Sequence, residues 1–228
     1  MKLEVIAHIE NAYTSKFGVP RQSGLVEEVI SRIVFEPEFR VAEALRGIGD
    51  FSHLWLIWGF HEVNREGWHP TVRPPRLGGN TRIGVFATRS PYRPNPLGLS
   101  SVRLTGIEKT PDRGTVLLVA GADLMNGTPI YDIKPYLPSA DSHPEASGGF
   151  TDQREKRRVQ AEIPEQEARK LSPENLAALR KVLEEDPRPA YQEDPERTYA
   201  FEFAGQTVRF RVRDEVLTVT DIGSGPER

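Results

Sequence analysis

Cysteine is absent from the 228-residue chain, which excludes a disulfide framework, a thiolate-bound metal and a cysteine nucleophile. Long apolar runs are missing too. None approaches the roughly 20 residues that span a bilayer, and the start, Met1-Lys2-Leu3-Glu4-Val5, lacks the long apolar segment and small-residue cleavage site of a secretory signal. A cytoplasmic protein without membrane attachment is expected. Acidic residues are missing locally: no Asp or Glu occurs between Gly67 and Ile107, while Arg73, Arg76, Arg82, Arg89, Arg93 and Arg103 all fall there. The whole chain has a net charge of −3, yet a local field of one sign can attract an anion even to an acidic molecule. Arginine also recognises phosphate or carboxylate through a planar, bidentate fork. A solvated basic face is the other reading of the same charges.

Several common chemistries lack their motifs. There is no Walker-type Gly-x4-Gly-Lys-Ser/Thr and no Gly-x-Ser-x-Gly elbow. Gly47-Ile48-Gly49 follows a predicted helix and leads into a predicted strand, the reverse of a dinucleotide fingerprint, which disfavours a Rossmann-type enzyme. His53, His61 and His69 are evenly spaced, but eight residues of strand cover roughly 26 Å, so they could share a metal only if the chain folded back. No metal is expected, and His53 reads as a structural histidine beside Trp55 and Trp58.

What is present is a series of short apolar segments separated by glycine and proline. Strands are predicted at Lys2–Ile9, Val26–Phe35, Ile83–Thr88, Leu99–Ile107, Val116–Ala120 and Ile130–Ile133. Phe51–Phe60, nearly all apolar, reads as a strand buried on both faces. Pro37–Leu45 reads as a short helix, and Asn11–Gly24 and Ser139–Gly149 as loops, the latter mobile. Ser172-Pro173-Glu174-Asn175 is a helix start whose apolar stripe is Leu176, Leu179, Val182 and Leu183, ended by Pro187. Tyr199–Phe203, Thr207–Val212 and Val216–Asp221 follow as a meander. The expected fold is mainly β: a β-barrel over residues 1–138, a connection over 139–170 and a small α+β C-terminal subdomain over 171–228.

The densest segments are loops: Lys16–Gln22, Phe60-His61-Glu62, Val72–Asn80 continuing through Phe86–Ser100, and Asp123–Pro129 continuing to Tyr136. Their prolines hold polar side chains at low entropic cost, and their glycines admit a ligand close to the backbone. Arg93-Pro94-Asn95-Pro96 is costly as a plain connector, because each proline also restricts the residue before it. These features point to a binding site without specifying its ligand.

Together these segments resemble the TsaA-like (TrmO) family of tRNA methyltransferases. The match is most specific through Val72–Ser100 and is supported by Phe51-Ser52-His53-Leu54-Trp55, Asp132-Ile133-Lys134-Pro135-Tyr136 and Asp186-Pro187-Arg188-Pro189-Ala190-Tyr191. The resemblance implies a homodimeric β-barrel methyltransferase that uses S-adenosylmethionine. Its substrate would be tRNA bearing threonylcarbamoyl-adenosine next to the anticodon, methylated on the exocyclic nitrogen. It further implies cofactor contacts from Pro20, Arg21, Gln22, His61, Glu62, Arg89, Leu99, Asp123, Asn126, Gly127, Thr128 and Pro129. An arginine would meet the cofactor carboxylate, Glu62 its ribose diol, and Leu99 its adenine. At Asn126 the family pattern has Asp; asparagine keeps the acceptor and loses the charge.

Asp132, Lys134 and Tyr136 are the candidates for proton handling or substrate fixing, with Asp132 and Lys134 merely pairing with each other as the alternative. Arg73, Arg76, Arg82 and Arg93 are candidates for tRNA phosphates or dimer contacts. Two other functions compete: a non-catalytic module that binds anticodon loops, and a methyltransferase with a different acceptor.

Overall fold

The computed structural model describes residues 2–62, 67–74, 77, 80–152, 158–188 and 194–224. The chain is mainly β and is organised around two separate hydrophobic cores. The first lies inside a closed antiparallel sheet of β1 (Ala7–Glu10), β2 (Ile30–Phe35), β3 (His53–Gly59), β6 (Leu97–Thr110), β7 (Gly114–Ala120) and β8 (Pro129–Pro135). Its order is β1-β2-β7-β6-β3-β8, and β8 pairs back with β1. Each strand therefore has two neighbours, and no edge in the ring is left unpaired. β4 (Thr71–Val72) and β5 (Ile83–Gly84) form a small separate ribbon.

A closed sheet has one interior, so each strand buries one face. This corrects the expectation for the tryptophan strand. Leu54, Leu56 and Trp58 of β3 are buried, whereas His53, Trp55 and Ile57 point to the other face and stay partly exposed. Trp55 is covered there by the Tyr136 ring, 5.6 Å away between centroids, and its indole N–H donates to Asp141 Oδ2 at 2.9 Å. Asp141 ends a short helix, α1 (Pro138–Asp141), at the start of the segment expected to be a mobile loop.

Other boundaries shift for local reasons. β1 begins at Ala7, which pairs with Phe35, the last residue of β2, and with Ile130 of β8. Pro37–Leu45 forms two 3-10 segments, Pro37–Phe39 and Ala42–Leu45, with no buried residue to stabilise a longer helix. The strand expected over Ile83–Thr88 stops at Gly84, and Val85–Ala87 turns into a 3-10 segment around buried Val85.

The second core lies in the C-terminal part. β9 (Gln160–Glu162), β10 (Tyr199–Phe203), β11 (Gln206–Arg213) and β12 (Val216–Ser224) form a sheet in the order β10-β11-β12-β9, with β9 parallel to β12. The segment 139–170 thus supplies a strand of this sheet, and also the short helix α2 (Glu165–Ala168). The Ser172 side chain caps α3 (Pro173–Glu184) by accepting from the Asn175 backbone N–H. Ala178, Leu179, Val182 and Leu183 are the buried face of that helix.

Residues between β1 and β2 also belong to this second core, both from the expected loop Asn11–Gly24 and from Val26–Val29, expected as strand but lying before β2. Tyr13, Val26 and Val29 are buried with Leu179, Phe201, Phe203 and Phe210, and Ala204 N–H donates to Ala12 O at 2.9 Å. Gly18 lies directly against the Phe201 ring: a Cβ there would sit 2.3 Å from a ring carbon, and its φ is +100°. Gly18→Ala is therefore expected to lower unfolding free energy by roughly 3 kcal/mol, through the left-handed backbone and the overlap together. Gly24→Ala, also at positive φ but with nothing within 4 Å, should cost only about 1–2 kcal/mol. Denaturant unfolding of the two variants checks the contrast.

Candidate functional site

The inner face of β6 is apolar except at Ser100, which is 1% exposed. Its hydroxyl is used twice. Trp58 Nε1–H donates to Ser100 Oγ at 2.9 Å, and the hydroxyl donates to Asp123 Oδ1 at 2.5 Å. The Ser23 backbone N–H and Asp123's own also serve the Asp123 carboxylate. Trp58 can lie across β6 because residue 98 is glycine; a Cβ there would fall 2.2 Å from the indole.

Arg89 reaches this cluster from the proline-rich loop. Its Nη1 donates to Gln22 Oε1, and its charge attracts the Asp123 carboxylate. Burial pushes the Asp123 carboxyl above the ordinary carboxylate range, opposed by the Ser100 hydrogen bond, the backbone amides and Arg89. Three distant loops thus meet at one desolvated carboxylate, and Gln22, Arg89 and Asp123 of the expected cofactor set come together.

The rest of that set is placed around them. Pro20 is buried, and Arg21 Nη2 donates to the carbonyls of Asp186 and Arg188 at 3.2 and 2.9 Å, tying the 20–22 loop to the C-terminal part. His61 and Glu62 are exposed just past β3, with Glu62 4.0 Å from Lys16 Nζ. In the last loop, Thr128 and Pro129 are buried, and the Thr128 hydroxyl donates to Met125 O. Asn126 and Gly127 are exposed. Asn126 Oδ1 accepts from the Asn11 backbone N–H at 3.0 Å, a role that needs an acceptor and no charge.

Leu99 is 54% exposed and, being next to Ser100 on a strand, faces outward. It pairs with Ile57, which pairs on its other side with Asp132, so Leu99 and Asp132 lie two strand spacings, roughly 10 Å, apart on one outer surface. On that surface Lys134 Nζ is 2.9 Å from Asp132 Oδ2, so the two residues do pair with each other. Tyr136 donates its backbone N–H to His53 O and packs its ring, tilted, near Trp55 and His53. His53 also bonds Ser52 Oγ. Among the described residues no three His, Cys, Asp or Glu side chains are grouped to hold a metal.

The basic stretch divides. Arg73 and Arg82 are exposed. Arg93 Nη2 donates to the carbonyls of Val85 and Thr88, bracing its own loop. Arg103 pairs with Glu27 on the surface. Arg76 lies outside the described residues. Sequence reasoning missed Ser100 and Trp58 as parts of the site; a polar residue at an inward position of an otherwise apolar strand was the available signal.

Comparison with known proteins places this arrangement. The model of the tRNA-methyltransferase O N-terminal domain matches residues 8–142, and that of the TrmO C-terminal domain matches residues 154–224. A tRNA (adenine(37)-N6)-methyltransferase of Escherichia coli is 43% identical over 221 residues, covering 93% of this chain and 94% of the relative. A putative S-adenosylmethionine-dependent methyltransferase, RcsF, of Pseudomonas aeruginosa is 38% identical over 230 residues, 96% of each. The crystal structure of TrmO from Pseudomonas aeruginosa superposes with a TM-score of 0.79 at 30% identity, covering 98% of this chain and 99% of that one.

The raised Asp123 carboxyl has a consequence for stability. The folded protein holds that proton more tightly than the unfolded chain does, so wild-type stability falls as pH rises from the ordinary aspartate value through the raised one. Asp123→Asn removes this dependence. Its Tm minus that of the wild type is expected to become more positive between about pH 4 and pH 8. A difference that stays flat over that range contradicts the burial of the charge.

Proposed function

This chain belongs to the tRNA-methyltransferase O family and is an S-adenosylmethionine-dependent tRNA methyltransferase, and we propose that it methylates the exocyclic nitrogen of threonylcarbamoyl-adenosine next to the anticodon. We further propose that the closed sheet is a β-barrel methyltransferase domain, with the α+β part beginning at β9 as a C-terminal subdomain. The protein would act in the cytoplasm as a homodimer. Exposed Leu99 on the outer face of β6 supports the dimer. Among the described residues no helix is long and apolar enough to cross a membrane.

The observation that carries the site assignment is that three loops meet with opposite charges near each other, Arg89 bonded to Gln22 and Asp123 accepting from Ser100. S-adenosylmethionine presents a carboxylate and an ammonium on one carbon, and these two residues fit that pair: Arg89 takes the carboxylate and Asp123 the ammonium. Gln22 holds Arg89 in place. Leu99 offers an apolar wall to the adenine, Glu62 an acceptor to the ribose hydroxyls, and the exposed Asn126-Gly127 turn backbone hydrogen bonds. When bound, the cofactor supplies an electrophilic methyl group on a sulfonium.

The rest falls to the protein. The acceptor nitrogen sits between a purine and a carbonyl, so its lone pair is delocalised, and it must be aligned and relieved of its proton. Asp132, Lys134 and Tyr136, lined up on the outer surface beside Leu99, are assigned to that work, with the Asp132–Lys134 pair holding each partner in place. Arg73 and Arg82 are assigned to tRNA phosphates.

Incubation with labelled S-adenosylmethionine and tRNA prepared with or without the threonylcarbamoyl group tests the substrate. Transfer to the modified tRNA alone is expected. Equal transfer to both would overturn the acceptor, and none to either would favour a module that only binds the anticodon loop. Asp132→Asn and Tyr136→Phe should slow single-turnover transfer by roughly a hundredfold where they handle the proton; two wild-type rates would remove them from the chemistry.

A further inference from the structure

The ribbon of β4 and β5 carries two features that the cofactor site does not use. The first is a pair of exposed aromatic rings. Trp68 is 49% exposed and Phe86 75% exposed, and they stack on each other with centroids 6.4 Å apart and planes 26° from parallel. Leaving such rings in water forgoes the stabilisation that burying them would bring. Their placement is built rather than frayed. Phe86 follows Val85, which is 1% exposed and donates its backbone N–H to Pro70 O. Arg93 clamps the same turn through the carbonyls of Val85 and Thr88. Buried Val85 therefore anchors a turn that holds Phe86 outward.

The second feature is electrostatic. β4 and β5 pair Thr71 with Gly84 and Val72 with Ile83, and Arg73 and Arg82 are the next residues of the two strands at that same end. Two like charges at one end of a two-stranded ribbon repel each other, and a ribbon of two residue pairs has little stability to lose. No acidic residue occurs from Gly67 to Ile107 to relieve them from within the segment. An anion arriving from outside would.

We infer that Trp68 and Phe86 form a stacking platform for an unpaired base of the anticodon loop, with Arg73 and Arg82 taking the flanking phosphates. A single strand meets both requirements at once, because it offers an open base face and a backbone charge within one nucleotide. Duplex RNA hides its base faces and would leave the rings exposed. The platform rests on the tRNA reading above and adds where the loop is gripped beside the target adenosine.

The test uses the full-length protein and tRNA carrying threonylcarbamoyl-adenosine. Phe86→Ala should raise KM for tRNA about tenfold, with the thermal shift caused by S-adenosylmethionine unchanged. Phe86→Tyr, which keeps the ring face, should restore the KM; Phe86→Leu, which keeps only apolar area, should not. Titration with an unmodified anticodon stem-loop should quench a fluorescence component that Trp68→Phe removes. A wild-type KM in Phe86→Ala overturns the platform while leaving the methyltransferase reading intact. So does a change of oligomeric state in Phe86→Ala on gel filtration, which would make the rings a contact between copies of the chain. If the wild type transfers no methyl group, the reading itself has failed, and the platform stands or falls on the same tenfold change measured as the Kd for that tRNA.

Discussion

A carboxylate withdrawn from water must be given partners, or it will take up a proton or disrupt the fold, and the placement of Asp123 follows from that constraint. Its partners come from parts of the chain far apart in sequence. Ser100 lies on the inner face of β6, Ser23 in the loop before β2, and Arg89 in the proline-rich loop. Each partner brings its own requirement. Ser100 is oriented by the Trp58 indole, Trp58 needs glycine at position 98, and Arg89 is held by Gln22. A half-satisfied polar network is worse than none, so these residues are best understood as one unit.

That unit reaches across both cores. Gln22 belongs to a segment whose neighbours Tyr13, Val26 and Val29 are buried among C-terminal side chains, and Arg21 is bonded to the backbone of Asp186 and Arg188. Asp186 and Arg188 form an ion pair, each side chain only about a tenth exposed. The C-terminal part therefore braces the loop that carries Gln22, whatever else it does. This physical link ties the Asp186-Pro187-Arg188 motif to the N-terminal loops, although more than 160 residues separate them.

The features legible in sequence were those written locally. Period-two apolar patterns located the main strands, and the Ser172 cap located the start of α3. The dense loops stood out as a candidate site because proline and glycine carry information in short stretches. What escaped depended on closure. Whether Phe51–Phe60 buries one face or two is decided by what covers its outside, and whether Asn11–Gly24 is a free loop is decided by a sheet made more than 170 residues later. Ser100 and Leu99 look alike in a motif, yet strand alternation sends one inward to Asp123 and the other outward toward Asp132. The arginine-rich stretch likewise resolves only in three dimensions: Arg93 braces a turn, Arg103 pairs with Glu27, and Arg73 and Arg82 remain exposed.

The most direct test is the calorimetric affinity for S-adenosylmethionine, measured on the wild type, Arg89→Met, Asp123→Asn and the double variant. If the two charges grip opposite ends of one amino-acid group, each single change should weaken binding by roughly tenfold or more, as expected for loss of a charge-assisted hydrogen bond. Wild-type affinity in both single variants would show that the cofactor binds elsewhere.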